Sequence, residues 1–404
     1  MTIAAADEKK LLPQLERLVR AVEELLATGL TTASEGTREA LGVTFREASR
    51  LKLLRLASTL RIADEELGRF MRNDAEFSRR RLVFFLSRAW LLGKGIGDAL
   101  RREDAAALDR FSSTPKPAPV ERLEVVALGV AKKVAAGAFC AFEFRLRTIA
   151  DAGDLPAGSP LVWSCVFPLK PGVDVPPEAY LTLPQKQKFP ASLFLERKTI
   201  AIEGAAIARD EFGTARIALG EKSLITAGEP FADWNRFLNW SPVAALERVR
   251  DHVPSPFELE VELHEEVVLR DWLLGEEDGE SREGRVVRPV DFQGVPFDAS
   301  VSSAAEGEAA RSALATVEEA LEVGNPPPPL LGVLHYESCR LVLNPLTLFR
   351  PAAAEEQRAP KKKRGQPSAP LETNDEPARL EPHYITVSEK AFDRRALLRS
   401  LDLT

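Results

Sequence analysis

The periodicity of the apolar residues changes once along this chain, and that change constrains everything else. From residue 7 to residue 111 no stretch alternates with period two. Leu11, Leu15, Leu18, Val22 and Leu25 are spaced four, three, four and three, which lines one face of a helix. Gly29 is placed to cap it. A short helix is expected near Thr37–Leu41, and a longer one from about Phe45 to Leu60 with Ala48, Leu51, Leu54 and Leu60 buried. A turn or two over Asp64–Met71 follows. The next segment, Phe77–Leu92, is apolar almost all round at its centre and belongs in the middle of a bundle. The glycines of "GKGIG", Gly93–Gly97, are expected to break that helix before "DALRRED". The whole segment reads as a bundle of five or six helices with short loops.

"SSTPKPAPVE", Ser112–Glu121, is a Pro/Ser linker, and beyond it the pattern is that of strands. Short runs rich in β-branched and aromatic residues, bounded by Gly, Pro and Asp, recur through "LEVVALGVAKKVAAGAFCAFEFRLRTI", "LVWSCVFPL", "ASLFLERKTIAIEGAAIARDE", "ARIALG" and "SLITAG". "SPVAALERVRDH" starts a helix with Ser241 as N-cap and Pro242 at the first helical position. "FELEVELH", 257–264, alternates cleanly as a strand. Glu306–Glu322 is a second helix, stopped by Gly324 and Pro326–Pro329. Few helices between neighbouring strands argue for a mostly antiparallel sheet, curled or doubled. The expected fold class is therefore α+β and multidomain. It comprises a helical bundle at 1–111, a linker at 112–120, a mostly antiparallel α+β domain at 121–350, a disordered Pro/Lys-rich stretch at 351–380 and a short strand/helix element at 381–404. Deleting 352–380 is expected to leave the fold intact.

Hydrophobic content of 45% allows a sizeable core. The N-terminal "MTIAAADEKK" has no apolar run of a secretory signal, and "LVFFLSRAWLL" is about half the length a bilayer needs. A soluble, cytoplasmic, membrane-free protein is expected, so the formal glycosylation match "NWS", Asn239–Ser241, has no use. The Ala/Leu/Arg/Pro-rich composition suggests a GC-rich bacterium. Cys140, Cys165 and Cys339 are too few for a disulfide framework and read as small buried hydrophobes.

The motifs of chemistry are sparse. His335 and Cys339 in "HYESC" lack further ligands for zinc, and their flanks read as strand. Glu258, Glu260 and Glu262 form one row, which reads as the wet face of an amphipathic strand. "GKGIGD" lacks the strand–loop–helix setting of a nucleotide site. No cofactor or metal is implied, and the four histidines leave little for acid/base work. His264, His335 and Glu262 are the first residues to consider if a site is assembled from distant parts of the chain. Trp234, Phe237 and Trp240, with Phe231, read as core packing rather than an exposed anchor.

Charge is the most informative property. Arg46 to Arg102 contains 14 Lys/Arg against seven Asp/Glu, inside a chain of net charge −7. A basic binding face is expected on the bundle, from Arg46, Arg50, Arg55, Arg79, Arg80, Arg81 and Arg88. It would dock an acidic protein surface or the phosphate backbone of a nucleic acid. "APKKKRGQP", 359–367, sits among acids that nearly cancel it and reads as a solvated tether. The functional expectation leans away from an enzyme and toward a non-enzymatic adaptor or scaffold subunit with protein partners. The alternatives are a nucleic-acid-associated protein using the basic bundle, or an enzyme whose site is not legible in short motifs.

Overall fold

The computed structural model describes residues 5–387 except 75–76, 113–116, 136–138, 170–174, 186–187, 210–213, 240–246, 249–250, 252–264, 276–277, 283–284, 293–294, 303–306, 323, 338–339 and 353–378. The fold is α+β and multidomain, with helices first and two β-sheets after them. Two compact units emerge, one built from residues 1–116 and the other from 117–252 with 261–404. "FELEVELH", most of the 241–252 helix, the tract holding "APKKKRGQP" and residues after 387 lie outside the described residues.

The first unit contains α1 (Ala5–Thr28), α2 (Glu35–Arg50), α3 (Leu54–Met71), α4 (Arg79–Arg101) and α5 (Ala105–Ser112). The five-residue stripe of α1, Leu11 to Leu25, is buried against Leu41, Leu56, Leu60, Leu86 and Leu92. Ser34 and Ser78 cap α2 and α4, each accepting a backbone N–H three residues on. None of the described helices is long and apolar enough to cross a membrane.

Two boundaries differ from the expectation drawn from sequence. The separate helices expected at 37–41 and 45–60 are instead α2 and α3, divided at Leu51–Leu53. No glycine or proline marks that division. Lys52 makes it by taking φ 59°, with the Lys52 N–H bound to Ser49 O and the Leu53 N–H to Ala48 O. The same pair of bonds recurs at Asn73–Asp74 after α3 and at Glu103–Asp104 after α4. Each is a Schellman turn with a residue other than glycine in the left-handed position.

"GKGIG" does not break α4; the helix runs through it to Arg101. A Cβ on Gly95 would stand 2.7 Å from the Phe111 ring of α5, and one on Gly93 would stand 3.1 Å from Val19 of α1. The glycines cost helix stability of about 1 kcal/mol each relative to alanine. They are kept because two neighbouring helices come too close for a side chain.

The second unit opens with β1 (Ala118–Ala135), β2 (Phe139–Thr148), β3 (Pro160–Pro168), β4 (Lys198–Arg209) and β5 (Ala215–Pro230). They close a barrel in the order β1-β2-β3-β5-β4, with β3 and β5 parallel at Leu161/Ala215 and Val162/Arg216 and the other pairs antiparallel. This is the topology of an OB barrel. "ARIALG" and "SLITAG" form one continuous strand, β5. Phe144, Trp163, Phe189 and Phe194 fill the interior with ring centroids 4.8–6.1 Å apart. A 3₁₀ turn at Pro177–Thr182 brings Glu178 to within 2.5 Å of the inward-facing Lys132, so that buried charge is paired.

The second sheet comprises β6 (Glu265–Leu269), β7 (Trp272–Leu274), β8 (Asp278–Arg282), β9 (Arg285–Phe292), β10 (Val295–Ser302), β11 (Leu330–Glu337), β12 (Arg340–Pro351) and β13 (Leu380–Tyr384). Its order is β6-β11-β12-β10-β9-β7, with β13 on β12 and β8 on β9. Helix α6 (Glu308–Glu322) buries Ala310, Ala313, Leu314 and Val317 in a core with residues of this sheet. Barrel and sheet share a third cluster: Val126 and Leu128 of β1, Phe231, Trp234 and Phe237 of the segment after β5, and Val268, Leu331 and Phe349. Gly129 sits at a bulge in β1, where a Cβ would stand 2.9 Å from Leu331. The stretch from Leu380 fastens the assembly. The Tyr384 hydroxyl donates to Ala127 O at 2.9 Å and the Ile385 N–H to Leu346 O at 3.0 Å.

Candidate functional site

The arginines expected to form one basic face differ in burial and in partners. Arg46 and Arg79 are exposed, on α2 and at the start of α4. Arg50 is bound by Glu47 at 2.5 Å and by Asp7 of α1 at 2.6 Å, and its pKa is raised chiefly by the hydrogen bond it donates to Glu47. Arg55 is half-buried. Arg81 approaches the buried carboxylate of Glu66 at 3.5 Å, which also takes Arg69 at 2.9 Å and accepts the Ser78 N–H at 3.1 Å. Arg88 is buried in α4. Arg80 lies in α4, its side chain outside the described residues. Acids upstream of Arg46, such as Glu16 on Arg101 and Glu23 on Lys94, reduce the surplus that residues 46–102 carry alone. Residues 1–116 hold 21 Lys/Arg against 17 Asp/Glu, so residues 117–404 hold 33 against 44, a net −11.

Among the described residues, the histidines and cysteines singled out in the sequence do not converge on one site. His335 is buried on β11, its Nδ1 3.5 Å from Asn344 Nδ2. His264, Glu262, Glu258, Glu260, Cys339 and Trp240 lie outside the described residues. Trp234 and Phe237 are core. Cys140 and Cys165 face into the barrel, where burial pushes their thiols up to about 11 and about 12. Among the described residues no three His, Cys, Asp or Glu are placed to hold a metal ion.

One charged constellation does converge, on the outer face of the barrel. Along β2 the apolar Cys140, Phe142, Phe144 and Leu146 point in, so Glu143, Arg145 and Arg147 point out. Glu143 lies opposite Ser164 of β3, and Arg145 opposite Val162, which in turn neighbours Arg216 of β5. Glu143 binds both Arg145 and Arg216, the latter at 3.1 Å, with the Ser164 hydroxyl 3.5 Å away. Glu266 of β6 takes Arg147 at 2.5 Å and stands 3.6 Å from Arg145. Among the described residues, three guanidinium groups thus share two carboxylates. The cluster grades outward: the side chains of Arg145, Arg147 and Glu266 are 5, 13 and 10% exposed, whereas those of Glu143 and Arg216 are 28 and 45% exposed. Arg145 Nε is buried without a hydrogen-bond acceptor.

Sequence reasoning alone missed these five residues. The signal was present in "FEFRLRT", where charge alternates with apolar residues at the period of a strand. What it could not supply was Glu266, which is more than a hundred positions away.

No family model matches the chain, and no curated protein matches it significantly. Among solved structures the chain is similar to the Ifi202 HINa domain in complex with 20-bp dsDNA, at 9% identity and TM-score 0.29, covering 57% of this chain and 94% of that one. It is also similar to a murine DNA-binding protein bound with dsDNA (9%, TM-score 0.24, 55% and 90%) and to the tetrameric p202 HIN2 (10%, TM-score 0.24, 57% and 91%). Likeness at this level fixes no ligand.

Proposed function

We propose that this chain is a non-enzymatic binding protein whose ligand is a nucleic acid, gripped through its phosphates. The observation that carries the reading is the position of Arg145, Arg147 and Arg216. Arg145 and Arg147 lie on strand 2 of a barrel with OB topology, whose strand 2–3 face such barrels use for oligonucleotides and oligosaccharides, and Arg216 lies on strand 5 next to strand 3. The step from topology to ligand is an analogy of fold, and the arginines give it a chemical basis. Residues 117–404, of net charge −11, repel polyanions at long range, so binding depends on such a local cationic site. The exposed Arg46 and Arg79 of the bundle add sequence-independent attraction.

The test is affinity of the full chain for a random duplex and a random single strand across a salt series. The reading expects log affinity to fall linearly with log salt, and Arg216→Ala to reduce the duplex slope by about 0.9. Absence of binding even at low salt overturns it. The adaptor reading is favoured by Val166 on β3 and Leu224 on β5, which stand 62 and 57% exposed on the barrel. It prevails if a stoichiometric protein partner is recovered and lost on Val166→Asp while no nucleic acid binds.

A further inference from the structure

We infer that Glu143 is an intramolecular substitute for phosphate, occupying the barrel's arginine site until a polyanion displaces it. The inference rests on the nucleic-acid reading for the identity of the polyanion, but on the geometry of the cluster for the displacement. Five charged side chains meet on one patch, and they divide into a fixed half and an exchangeable half.

Glu266, Arg145 and Arg147 form the fixed half. All three are nearly withdrawn from water, and their carboxylate comes from β6, so breaking the group would leave buried charge unpaired. Glu143 and Arg216 form the exchangeable half. Both are more exposed, at 28 and 45%, and an ion pair in that setting contributes less net stability than a buried one. The fixed half matters to the exchange because Glu266, 3.6 Å from Arg145, keeps a carboxylate beside that arginine when Glu143 turns away.

Glu143 presents its oxygens to two guanidinium groups and has a hydroxyl, Ser164 Oγ, beside one of them. Two forks and a hydroxyl are the donors that a phosphodiester takes. Once the Glu143 side chain rotates away to solvent, a phosphate meets Arg216, Arg145 and Ser164 from the open side. The buried Val162 between the strands sets the floor. The formal charge of these five side chains is +1 with both carboxylates in place, and it becomes +2 when Glu143 is neutral.

The experiment measures binding of a random duplex, and separately of inorganic polyphosphate, to the full-length protein and to Glu143→Gln, Arg216→Ala and the double variant. Glu143→Gln is expected to bind the duplex about tenfold more tightly, with a salt slope steeper by about 0.9. In the double variant most of that gain disappears. Far-UV circular dichroism and thermal midpoints verify that each variant is folded. If the duplex binds and Arg216→Ala weakens it, but Glu143→Gln leaves affinity unchanged, the guard is overturned and the nucleic-acid reading stands. If Glu143→Gln tightens polyphosphate while no variant binds duplex or single strand, the guard stands and the nucleic-acid reading falls. A gain retained in full by the double variant overturns the site itself.

Discussion

The backbone N–H of Ala352 donates to the carbonyl of Arg379 at 2.7 Å. The two residues continue the antiparallel pairing of β12 with β13, which ends at Pro351 opposite Leu380. The 26 residues 353–378 therefore leave and re-enter the sheet at the same point. Replacing them with a four-residue Asn/Gly turn keeps every bond of the ladder. It also shortens the loop to be closed on folding, which is worth roughly 1–2 kcal/mol. The urea midpoint of the shortened chain is expected to equal or exceed that of the parent. A wider deletion that also removes Arg379 and Leu380, such as 352–380, cuts into the strand and is expected to destabilise.

The three Schellman turns of the bundle predict a gain. Lys52, Asn73 and Glu103 hold φ values of 59, 52 and 53° without the freedom of glycine. Lys52→Gly and Glu103→Gly are each expected to stabilise by about 0.5–1 kcal/mol, and Asn73→Gly by less, since asparagine tolerates this region. Denaturant unfolding of the single and triple variants measures the gains and their additivity.

Glu66 predicts a loss. Its buried carboxylate serves Arg69, Arg81 and the first amide of the turn into α4. Glu66→Ala is expected to destabilise by about 3 kcal/mol, since it removes the acceptor of the part-buried Ser78 amide and the more buried of the two carboxylates that pair with Arg69. Arg81→Ala removes only an outer, half-exposed partner and is expected to change stability by less than about 1 kcal/mol. Comparable losses in the two variants would refute this account of the cluster.

The barrel thiols predict a pH dependence. Burial raises Cys140 to about 11 and Cys165 to about 12. An unfolded cysteine titrates near 8.5, so above that pH the unfolded state binds fewer protons than the native state. The contribution of these thiols is fully present below about pH 8.5 and is lost as pH rises toward 11–12. The doubly substituted Cys140→Ala/Cys165→Ala chain is expected to show a flatter decline over that window. Peptide mapping after alkylation at pH 8 is expected to find both thiols unmodified until denaturant is added.

Much of this architecture was legible in the sequence, and the reasons differ by element. The stripe of α1 was plain because its apolar residues keep one helical face over several turns. The alternation in "FEFRLRT" carried both the strand and the outward direction of Arg145 and Arg147. The division of α2 from α3 was hidden because Lys52 does by backbone strain what glycine usually does by permission. "GKGIG" misled because a glycine's local cost is visible in sequence, whereas its reason, the Phe111 ring over Gly95, is tertiary. The charge surplus was a property of a window, and acids outside that window, such as Asp7 and Glu16, fold back onto its arginines. The candidate site needed Arg216 and Glu266 beside Glu143, a proximity that only the barrel closure and the second sheet create.

The hydrogen bond from Tyr384 to Ala127 joins residues 257 positions apart. Its consequence is one of timing. On the ribosome β1 emerges early, but its bulge carbonyl lacks this partner until residue 384 has been made, a wait of roughly 10–50 s at ordinary rates of synthesis. The strands of the barrel can pair in that interval, while the seam between barrel and sheet is the last thing sealed. A nascent chain stalled before β13 therefore holds its barrel without its fastening.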